Sequence, residues 1–475
     1  MKIFNARLGH ATNSSSTHST VFIDQPVGDN GIDGRFGWGY FTAASPGAKM
    51  HYFALQLYYN FRQTIGEDAA RSLARALVAN LLPDQKPFDI PLGDDDYIDH
   101  QSVWSLPGNP DNVGRNIAFA RELGQFFLRD DVVILGGNDN EDEASHPLSN
   151  IAEHTEEYWD SGSHVVARKD QQGFWTLFNR HTGAKTRFSF EREAKAPTHS
   201  MGPELIDIKI TDFCTKGCAY CYQNSNSAGK HADSGYLSSL FWRLEDVLEF
   251  AIGGGEPTAH PDFFELLKRS SWRGITPSFS TREVGWLWVP KLAQTVMEYG
   301  GSYALSMEDT GKKFAGNLQL EDIVEQVAAN KYKKPVLHIP VGAQSEWQLR
   351  QSLRDAMLYQ LPVVLLGFKS VGRGANFKPQ MYDWVTAVKE ETKGKWLDLR
   401  IDTTLASKYK QELGNAGVNL KLLEFQEGRF SCYIDAVNKT FGPSSFCGPE
   451  KMRPLEGHIE GTLRAAMEEW AQEEE

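Results

Sequence analysis

The stretch LIDIKITDFCTKGCAYCYQN, residues 205–224, joins an apolar strand pattern to a loop that holds three cysteines. The chain has only five cysteines in 475 residues, so this one loop carries most of them. Thiolates are soft ligands that suit zinc, copper(I) and iron–sulfur clusters. The CxxxCxxC spacing of Cys214, Cys218 and Cys221 supplies three ligands and no fourth cysteine nearby. It therefore predicts a metal centre with one position left open for a ligand.

Zinc is the alternative to an iron–sulfur cluster at this loop. Structural zinc normally takes four protein ligands in a closed tetrahedron. His231 follows the three cysteines and would complete a Cys3His site. Both interpretations remain open from the spacing alone.

Strand and helix patterns alternate from Glu204 onward, which is typical of a parallel sheet or barrel. The strand candidates are LIDIKIT, FAIGGGE, TPSFST, SYALSME, PVLHIPV, VVLLGFK and LDLRID. The cysteines follow the first of these strands, and the sequence GGGEP at 253–257 ends the second. Because chemistry gathers at the carboxyl ends of parallel strands, we expect these two loops to converge.

Residues 1–200 form a different region, which we interpret as an α+β domain. The pattern predicts a helix from about Gly47 to Leu82, a strand at 130–137 and β-hairpins with turns at Gly173 and Gly183. A linker follows at 191–203. The polar segment 9–19 is interpreted as a loop or a recognition loop. The cluster of Asp96, Asp99 and His100 is interpreted as a solvated loop or a small metal site.

Composition limits the classes of partner. With 49 basic and 62 acidic side chains the net charge is −13, which disfavours nucleic acid as the substrate. A local basic groove around Lys369, Arg373 and Lys378 stays possible. No stretch approaches the roughly 18 apolar residues of a membrane span. The N-terminus lacks the apolar run of a secretory signal, so we expect a cytoplasmic protein.

The cysteine loop and the glycine-rich loop together resemble the radical SAM superfamily. Its cluster motif is CxxxCxΦC, and Tyr220 occupies the aromatic position. The sequence Gly254-Gly255-Glu256-Pro257 looks like the GGEP motif of the same superfamily. The resemblance extends over residues 204–400 and implies a partial (β/α)6 TIM-like barrel.

The resemblance also implies cofactors and site residues. Cys214, Cys218 and Cys221 would hold one [4Fe–4S] cluster, and S-adenosylmethionine would chelate the fourth iron. Reductive cleavage of this cofactor would give a 5′-deoxyadenosyl radical that abstracts a substrate hydrogen. A flavodoxin or ferredoxin would donate the electron. The residues expected to bind the cofactor are Tyr220 (adenine), Gly254, Gly255, Glu256 (ammonium group), Pro257, Ser280, Ser306 and Glu308.

The C-terminal region resembles the start of a SPASM or twitch extension. Residues 428–447 predict a β-hairpin with a turn near Asn438 and Lys439. Relatives carry several cysteines here, whereas this chain has Cys432 and Cys447, and Ser444 stands where a cysteine is expected. We therefore expect an extension without an auxiliary cluster. The two cysteines are interpreted as buried hydrophobic residues or as hydrogen-atom donors.

These features predict three domains and a leading function. The predicted domains are 1–200, with a possible role in substrate recognition, 201–405, the radical SAM barrel, and 406–475, the extension. The loop LLGFKSVGRG at 365–374 resembles the peptide-modifying branch of the superfamily. The leading hypothesis is therefore an enzyme that modifies a peptide or protein. The alternatives are radical modification of a small molecule or nucleotide, and a non-catalytic iron–sulfur sensor or binding protein.

Overall fold

A computed structural model describes two compact units, Met1–Ala196 and Pro197–Glu475. The division falls inside the linker predicted at 191–203. The predicted extension, 406–475, belongs to the second unit. The described residues are 2–472 without 8–15, 24–27, 33–34, 37–40, 82–89, 99–112, 139–151, 156–164, 171, 181–182, 184, 192–193, 196, 245–246, 307–317, 419, 421–422 and 424.

Among its described residues, the first unit combines three helices with two antiparallel sheets and one short parallel pair of strands. Its elements are β1 (Lys2–Arg7), β2 (Ser16–Ile23), β3 (Arg35–Phe36), β4 (Phe41–Ala43), α1 (Pro46–Ile65), α2 (Glu67–Ala79), β5 (Tyr97–Ile98), α3 (Val113–Phe127), β6 (Val132–Asn138), β7 (Ala152–Thr155), β8 (Val165–Lys169), β9 (Trp175–Asn179) and β10 (Lys185–Ser189).

Aromatic side chains from the helices and strands form the core of the first unit, including Tyr52, Phe53, Phe119, Trp175 and Phe188. The sheets have the orders β1-β10-β9-β8 and β4-β6-β2-β7, and β3 pairs with β5. The predicted hairpins are present as β8, β9 and β10, which pair antiparallel. Asp99 and His100 of the possible metal site, and most of the polar segment 9–19, lie outside the described residues.

The helix predicted from Gly47 to Leu82 is two helices. Gly66 separates α1 from α2 and has a φ of 83°. This left-handed conformation is accessible to glycine and ends a helix. The first helix begins with Pro46 after Ser45, whose hydroxyl accepts a hydrogen bond from the Ala48 amide. Because the apolar pattern continues across Gly66, the pattern alone predicts one helix instead of two.

The second unit alternates strands and helices along its length. Its elements are β11 (Leu205–Lys209), α4 (Ser234–Trp242), β12 (Glu249–Gly253), α5 (Phe263–Trp272), β13 (Thr276–Thr281), α6 (Pro290–Tyr299), β14 (Tyr303–Ser306), α7 (Leu320–Asn330), β15 (Val336–Pro340), α8 (Glu346–Tyr359), β16 (Val363–Leu366), α9 (Trp384–Thr392), β17 (Leu399–Ile401), α10 (Thr403–Lys408), α11 (Lys410–Asn415), β18 (Ser431–Asp435), β19 (Thr440–Gly442), β20 (Arg453–Pro454) and α12 (Ile459–Gln472).

All seven predicted strands of this unit are present as β11–β17 and lie side by side in chain order. Every neighbouring pair among them is parallel. The family resemblance implied six strands, and the parallel part of the sheet has seven. Parallel neighbours require crossover connections, and helices lie between consecutive strands throughout. The unit is thus an α/β fold built on one large sheet.

The strands of this sheet have one apolar face and one polar face. Ile206, Phe250, Phe279, Leu337 and Leu365 belong to the main hydrophobic core with the helices. Because successive side chains of a strand point to opposite faces, their sequence neighbours turn away from that core. Many of those neighbours are small or polar, including Asp207, Ala251, Ser278, Ser280 and His338, although those on β16, Val364 and Leu366, are apolar. We call this side the polar face of the sheet.

The C-terminal hairpin extends the same sheet. Strands β18 and β19 pair antiparallel, with the turn at Asn438 and Lys439 as predicted. Strand β18 also pairs parallel with β11, with Ile206 opposite Cys432 and Asp207 opposite Tyr433. The sheet is therefore mixed, with ten strands in the order β17-β16-β15-β14-β13-β12-β11-β18-β19-β20.

A buried ion pair holds β18 against the start of the cysteine loop. The Lys209 ammonium lies 2.7 Å from Asp212 Oδ1 and 2.7 Å from Asp435 Oδ2. Burial lowers the pKa of Lys209, but the hydrogen bonds and charges of the two carboxylates more than offset this and raise it. The lysine therefore stays charged and ties three segments together.

Within the described ranges, no helix is long and apolar enough to cross a membrane.

We predict that Lys209→Met lowers the unfolding free energy of the second unit by about 3–5 kcal/mol, because Asp435 is left buried and unpaired. The folded pKa of Lys209 is raised, so its contribution is fully present below the unfolded value of about 10.4. The contribution fades as pH rises through the folded pKa. Denaturation followed by circular dichroism at neutral pH measures the loss. The exposed Lys393→Met variant is the control, and equal losses in both variants would contradict this role of Lys209.

Candidate functional site

The cysteine loop begins directly after β11 and is closed by backbone hydrogen bonds at its base. The amide of Asp212 donates to Lys230 O over 2.8 Å, and that of Cys214 donates to Asn226 O over 2.9 Å. Cys214, Cys218 and Cys221 are all half-buried and none forms a disulfide. The loop therefore presents three reduced thiols at the carboxyl end of the first parallel strand.

The glycine-rich loop after β12 pairs with the start of the cysteine loop, as predicted. Gly255 donates its amide to Thr211 O over 2.7 Å, and Glu256 donates to Phe213 O over 2.8 Å. A Cβ at Gly254 would lie 2.3 Å from Thr211 O, and one at Gly255 would lie 2.2 Å from Phe213 O. Gly254 also has a φ of 133°. Both positions therefore need glycine for this backbone contact, a reason that the sequence analysis had not foreseen.

Glu256 is buried, and its carboxylate accepts hydrogen bonds from neighbouring residues. Its Oε1 accepts from the hydroxyls of Thr281 and Thr258 over 2.6 and 2.7 Å, and its Oε2 accepts from the Arg282 amide over 2.9 Å. Burial raises the pKa of Glu256, and these hydrogen bonds oppose the rise. Each carboxylate oxygen has two acceptor directions, so Oε2 keeps one for a ligand. Pro257, also buried, begins the short helix that follows.

Arg282 is the first residue after β13 and contacts the cysteine loop. Its Nη1 donates to the Sγ of Cys218 over 3.1 Å. Nearby, the Lys216 ammonium lies 2.5 Å from a carboxylate oxygen of Glu283. The third strand thus contributes a cation directly to one of the three thiols.

The loop after β16 supports the cysteine loop from another direction. The guanidinium of Arg373 donates to Cys218 O over 2.9 Å and to Ser225 O over 2.8 Å, and its amide donates to Cys221 O over 3.0 Å. Gly372 has a φ of 57°, and a Cβ there would lie 2.3 Å from Tyr222 O. The sequence GRG therefore fits closely against the backbone that carries the second and third cysteines.

The structure does not bear out the basic groove that we considered around Lys369, Arg373 and Lys378. Arg373 binds main-chain carbonyls, and Lys369 lies between two aromatic rings. The ammonium of Lys369 is 4.7 Å from the ring centroid of Tyr222 and 4.6 Å from that of Phe446. Two of the three cations are therefore occupied within the protein.

Tyr220 lies in the cysteine loop, between Cys218 and Cys221. Its ring packs edge-on against Phe377 with centroids 5.7 Å apart, and Phe377 lies 5.6 Å from Phe368. These rings form an aromatic group next to the cysteines. Its flat faces are of the kind that stack on an adenine.

The polar face below the loops carries titratable groups. The Nδ1 of His338 on β15 lies 3.2 Å from the Ser280 hydroxyl on β13. Burial, and then the charge of Lys369, lowers the pKa of His338 to about 4, so the ring is neutral at pH 7. Ser306 pairs in register with His338 and shares its face. The predicted residue Glu308 lies outside the described residues.

Cys432 and Cys447 lie in different surroundings from the loop cysteines. Cys432 is 2% exposed and belongs to the main hydrophobic core, on the opposite face of the sheet from Asp207 and His338. Burial, with a smaller effect from the charge of Asp207, raises the pKa of its thiol. The thiol of Cys447 lies 3.5 Å from Met452 Sδ. These contacts favour the interpretation as hydrophobic residues over that of hydrogen-atom donors.

The donor set fits a cluster better than a single zinc ion. In the described segments, no three His, Cys, Asp or Glu side chains are arranged to hold one metal ion. His231, the suggested fourth zinc ligand, is exposed, and its Nδ1 is hydrogen-bonded to the Thr211 hydroxyl over 2.9 Å. A cubane cluster binds each thiolate through a different iron, so three cysteines suffice to hold it. The three thiols would hold such a cluster and leave its fourth iron open.

Sequence reasoning missed the roles of Arg282, Asp207 and His338. Arg282 follows a predicted strand, and the rule that strand ends carry chemistry would have marked it. Asp207 and His338 each interrupt an apolar strand pattern. A polar residue at an alternating position of such a strand was the signal that could have marked them. Burial raises the pKa of Asp207, and the charge of Lys369 and a hydrogen bond with Ser445 oppose the rise. The sequence cannot show that these groups share one face.

We predict that Arg373→Ala loosens the cysteine loop. A hydrogen bond to a charged group contributes roughly 1.5–3 kcal/mol, and this variant loses two such bonds to loop carbonyls. Amide hydrogens of residues 214–226 should exchange at least about tenfold faster, and less iron should remain after anaerobic reconstitution and desalting.

Lys378→Ala is the matched control for this variant, because Lys378 is an exposed cation of the same loop. It should leave both measurements unchanged. Unaltered exchange and full iron content in Arg373→Ala would show that the arginine does not hold the loop.

Comparison with protein families identifies the domain that contains this site. Residues 208–333 match the radical SAM superfamily. The matched segment includes all three loop cysteines, the GGEP sequence and Arg282. Members of this superfamily use a [4Fe–4S] cluster and S-adenosylmethionine, and the three thiols fit that requirement.

Two curated relatives extend the similarity beyond this domain. The chain is 24% identical over 256 residues to the mycofactocin maturase MftC of Mycobacterium ulcerans, covering 50% of this chain and 68% of the relative. It is 24% identical over 277 residues to MftC of Mycobacterium tuberculosis, covering 53% and 66%. The chain thus spans about two thirds of the length of these relatives. A dimethyltransferase of 7,8-dihydro-6-hydroxymethylpterin from Methanocaldococcus jannaschii is 28% identical over 78 residues, 15% of each chain.

Solved structures show a distant similarity. The crystal structure of Streptococcus suis SuiB has a TM-score of 0.48 and 13% identity, covering 64% of this chain and 87% of SuiB. SuiB bound to the precursor peptide SuiA has a TM-score of 0.42 and 13% identity, covering 83% and 76%. Scores below 0.5 do not by themselves establish a shared fold.

The family match and the three-thiol loop with its GGEP partner agree with each other. The chain therefore contains a radical SAM domain and is an enzyme.

Proposed function

We propose that this enzyme modifies a peptide or protein substrate by removing a hydrogen atom from it. The observation that carries the proposal is the length of the similarity to a maturase. That alignment covers 50% of this chain, whereas the shared domain, residues 208–333, makes up about a quarter of it. Nearly half of the aligned residues therefore lie outside the part that all members of the superfamily have in common.

The alternative of a small-molecule or nucleotide substrate has weaker support. The similarity to the pterin dimethyltransferase runs over 78 residues, fewer than the shared domain itself. A similarity of that length reflects the cofactor site that both proteins need. It carries no information about the substrate. A non-catalytic sensor is disfavoured because the chain is an enzyme by its family.

We infer that the large sheet of the second unit is a partial barrel. Its strands β11–β17 follow one another in chain order, and the helices between them share one hydrophobic core. A doubly wound sheet would reverse its strand order, and none of these seven strands does so. The polar face is then the inside of the barrel, and the three loops form its rim. The hairpin β18–β19 is the SPASM-like part of the chain in this proposal.

In this proposal the rim residues bind the cofactors. Cys214, Cys218 and Cys221 would hold the cluster, Glu256 would accept from the ammonium of S-adenosylmethionine, and Tyr220 would contact the adenine. When bound, the cluster supplies the electron that converts S-adenosylmethionine to a hydrogen-abstracting 5′-deoxyadenosyl radical. Gly254, Gly255 and Pro257 fix the loop, and Ser280 and Ser306 face the cofactor or substrate.

The polar face provides charged groups for the substrate. The pKa of Lys369 is lowered by burial and raised more by the charges of Tyr222, Asp402, Asp207 and Glu427, so it remains a cation. His338, neutral at pH 7, orients the Ser280 hydroxyl without adding charge. The first unit, Met1–Ala196, is large enough to recognise a peptide, and a flavodoxin or ferredoxin is the proposed electron donor.

The test uses short peptides encoded beside the gene, each labelled with deuterium at carbon positions that do not exchange with water. The enzyme is reconstituted anaerobically and given dithionite and S-adenosylmethionine. We expect one of these peptides to accelerate formation of 5′-deoxyadenosine and to transfer deuterium into it, with a matching mass change in the peptide. Mass spectrometry detects both products.

Cys218→Ala is the control, because a chain without that thiol cannot hold the cluster through three ligands. It should give neither 5′-deoxyadenosine nor modified peptide. Formation of 5′-deoxyadenosine that no peptide accelerates, and that a small molecule or nucleotide does accelerate, would contradict the peptide proposal while leaving the enzyme class intact.

A further inference from the structure

Arg282 makes a contact that the cofactor chemistry alone does not require. Its Nη1 lies 3.1 Å from Cys218 Sγ, within hydrogen-bonding distance of a thiol that is proposed to hold iron. The contact places a charged donor directly on one of the three loop thiols. Cys214 accepts a longer contact of 3.5 Å from the Lys216 amide.

The protein holds Arg282 in this place through the glycine-rich loop. The main-chain amide of Arg282 donates to Glu256 Oε2, and the preceding Thr281 hydroxyl donates to Glu256 Oε1. Thr281 also accepts from the amide of Glu283 over 2.9 Å. The turn after β13 is therefore fixed on both sides of the arginine, which limits the positions that its guanidinium can reach.

A guanidinium next to a cluster ligand has a defined electrostatic effect. Reduction adds one negative charge to the cluster, and a fixed cation or a hydrogen bond to its sulfur stabilises the reduced form. Arginine cannot lose its charge in a protein, so the effect does not depend on pH. The cation should therefore make the cluster easier to reduce.

The neighbouring cation Lys216 binds a carboxylate, whereas Arg282 donates to a thiol. Its ammonium is paired with Glu283 at 2.5 Å, and that carboxylate offsets its charge. Lys216 lies in the cysteine loop, between Cys214 and Cys218, but with Glu283 it forms a pair without net charge. This difference provides a matched comparison within the same site.

We propose that Arg282 raises the reduction potential of the cluster through its hydrogen bond to Cys218 Sγ. The residue acts on the electron-transfer step that precedes hydrogen abstraction, and the inference is independent of which substrate the enzyme modifies.

The experiment measures the potential of the reconstituted full-length protein by electron paramagnetic resonance during a redox titration without substrate. In Arg282→Gln, the ratio of reduced to oxidised cluster at the wild-type midpoint should fall at least tenfold, a shift of 59 mV for one electron. Lys216→Gln should change this ratio less than threefold. Arg282→Lys keeps the charge and should recover part of the loss. Iron content, measured in parallel, should match the wild type in all three variants.

A wild-type midpoint in Arg282→Gln with full iron content would overturn the proposal. Equal shifts in Arg282→Gln and Lys216→Gln would also overturn it, since the effect would then be a general loss of positive charge. Loss of iron from both Arg282 variants would do the same, because the arginine would then build the site instead of tuning it. A protein without iron in the wild-type form would instead refute the cluster itself.

Discussion

The carbonyl oxygens of the cysteine loop hold the site together. Those of Thr211 and Phe213 accept amides from the glycine-rich loop, and those of Cys218 and Cys221 accept from Arg373. A loop of about twenty residues has no regular structure to satisfy its own backbone groups, and unpaired buried carbonyls are costly. Two neighbouring loops provide the partners. The positions of the three thiols therefore depend on the loops that follow β12 and β16 as well as on their own loop after β11, all at the carboxyl edge of one sheet.

This constraint explains the glycines of the two supporting loops. At Gly254, Gly255 and Gly372 a Cβ would lie 2.2–2.3 Å from a carbonyl oxygen of the cysteine loop. Any side chain there would separate the loops. Glu256 and Arg373 then add the specific contacts, one through a carboxylate and one through a guanidinium. The same residues that recognise the cofactors in our proposal also shape the protein that receives them.

Much of this arrangement was predictable from local patterns. Seven apolar strand patterns separated by helices indicated a parallel sheet, and the strand-end rule placed the cysteines beside GGEP. The sequence could not show that β18 joins β11 in parallel, because that pairing connects segments more than 220 residues apart. It also could not show the break at Gly66, where the helical pattern continues through a single left-handed residue. The role of Arg282 depends on a side-chain direction, which only the folded loops define.

The account rests on three thiolates that leave one iron of a single cluster open for S-adenosylmethionine. Mössbauer spectroscopy of the anaerobically reconstituted, iron-57-enriched protein, recorded with and without S-adenosylmethionine, tests this most directly. We predict about four irons per chain, with the spectrum of one iron changed by the added S-adenosylmethionine. A spectrum that S-adenosylmethionine does not change, or an iron content near eight per chain from a second cluster, would contradict it.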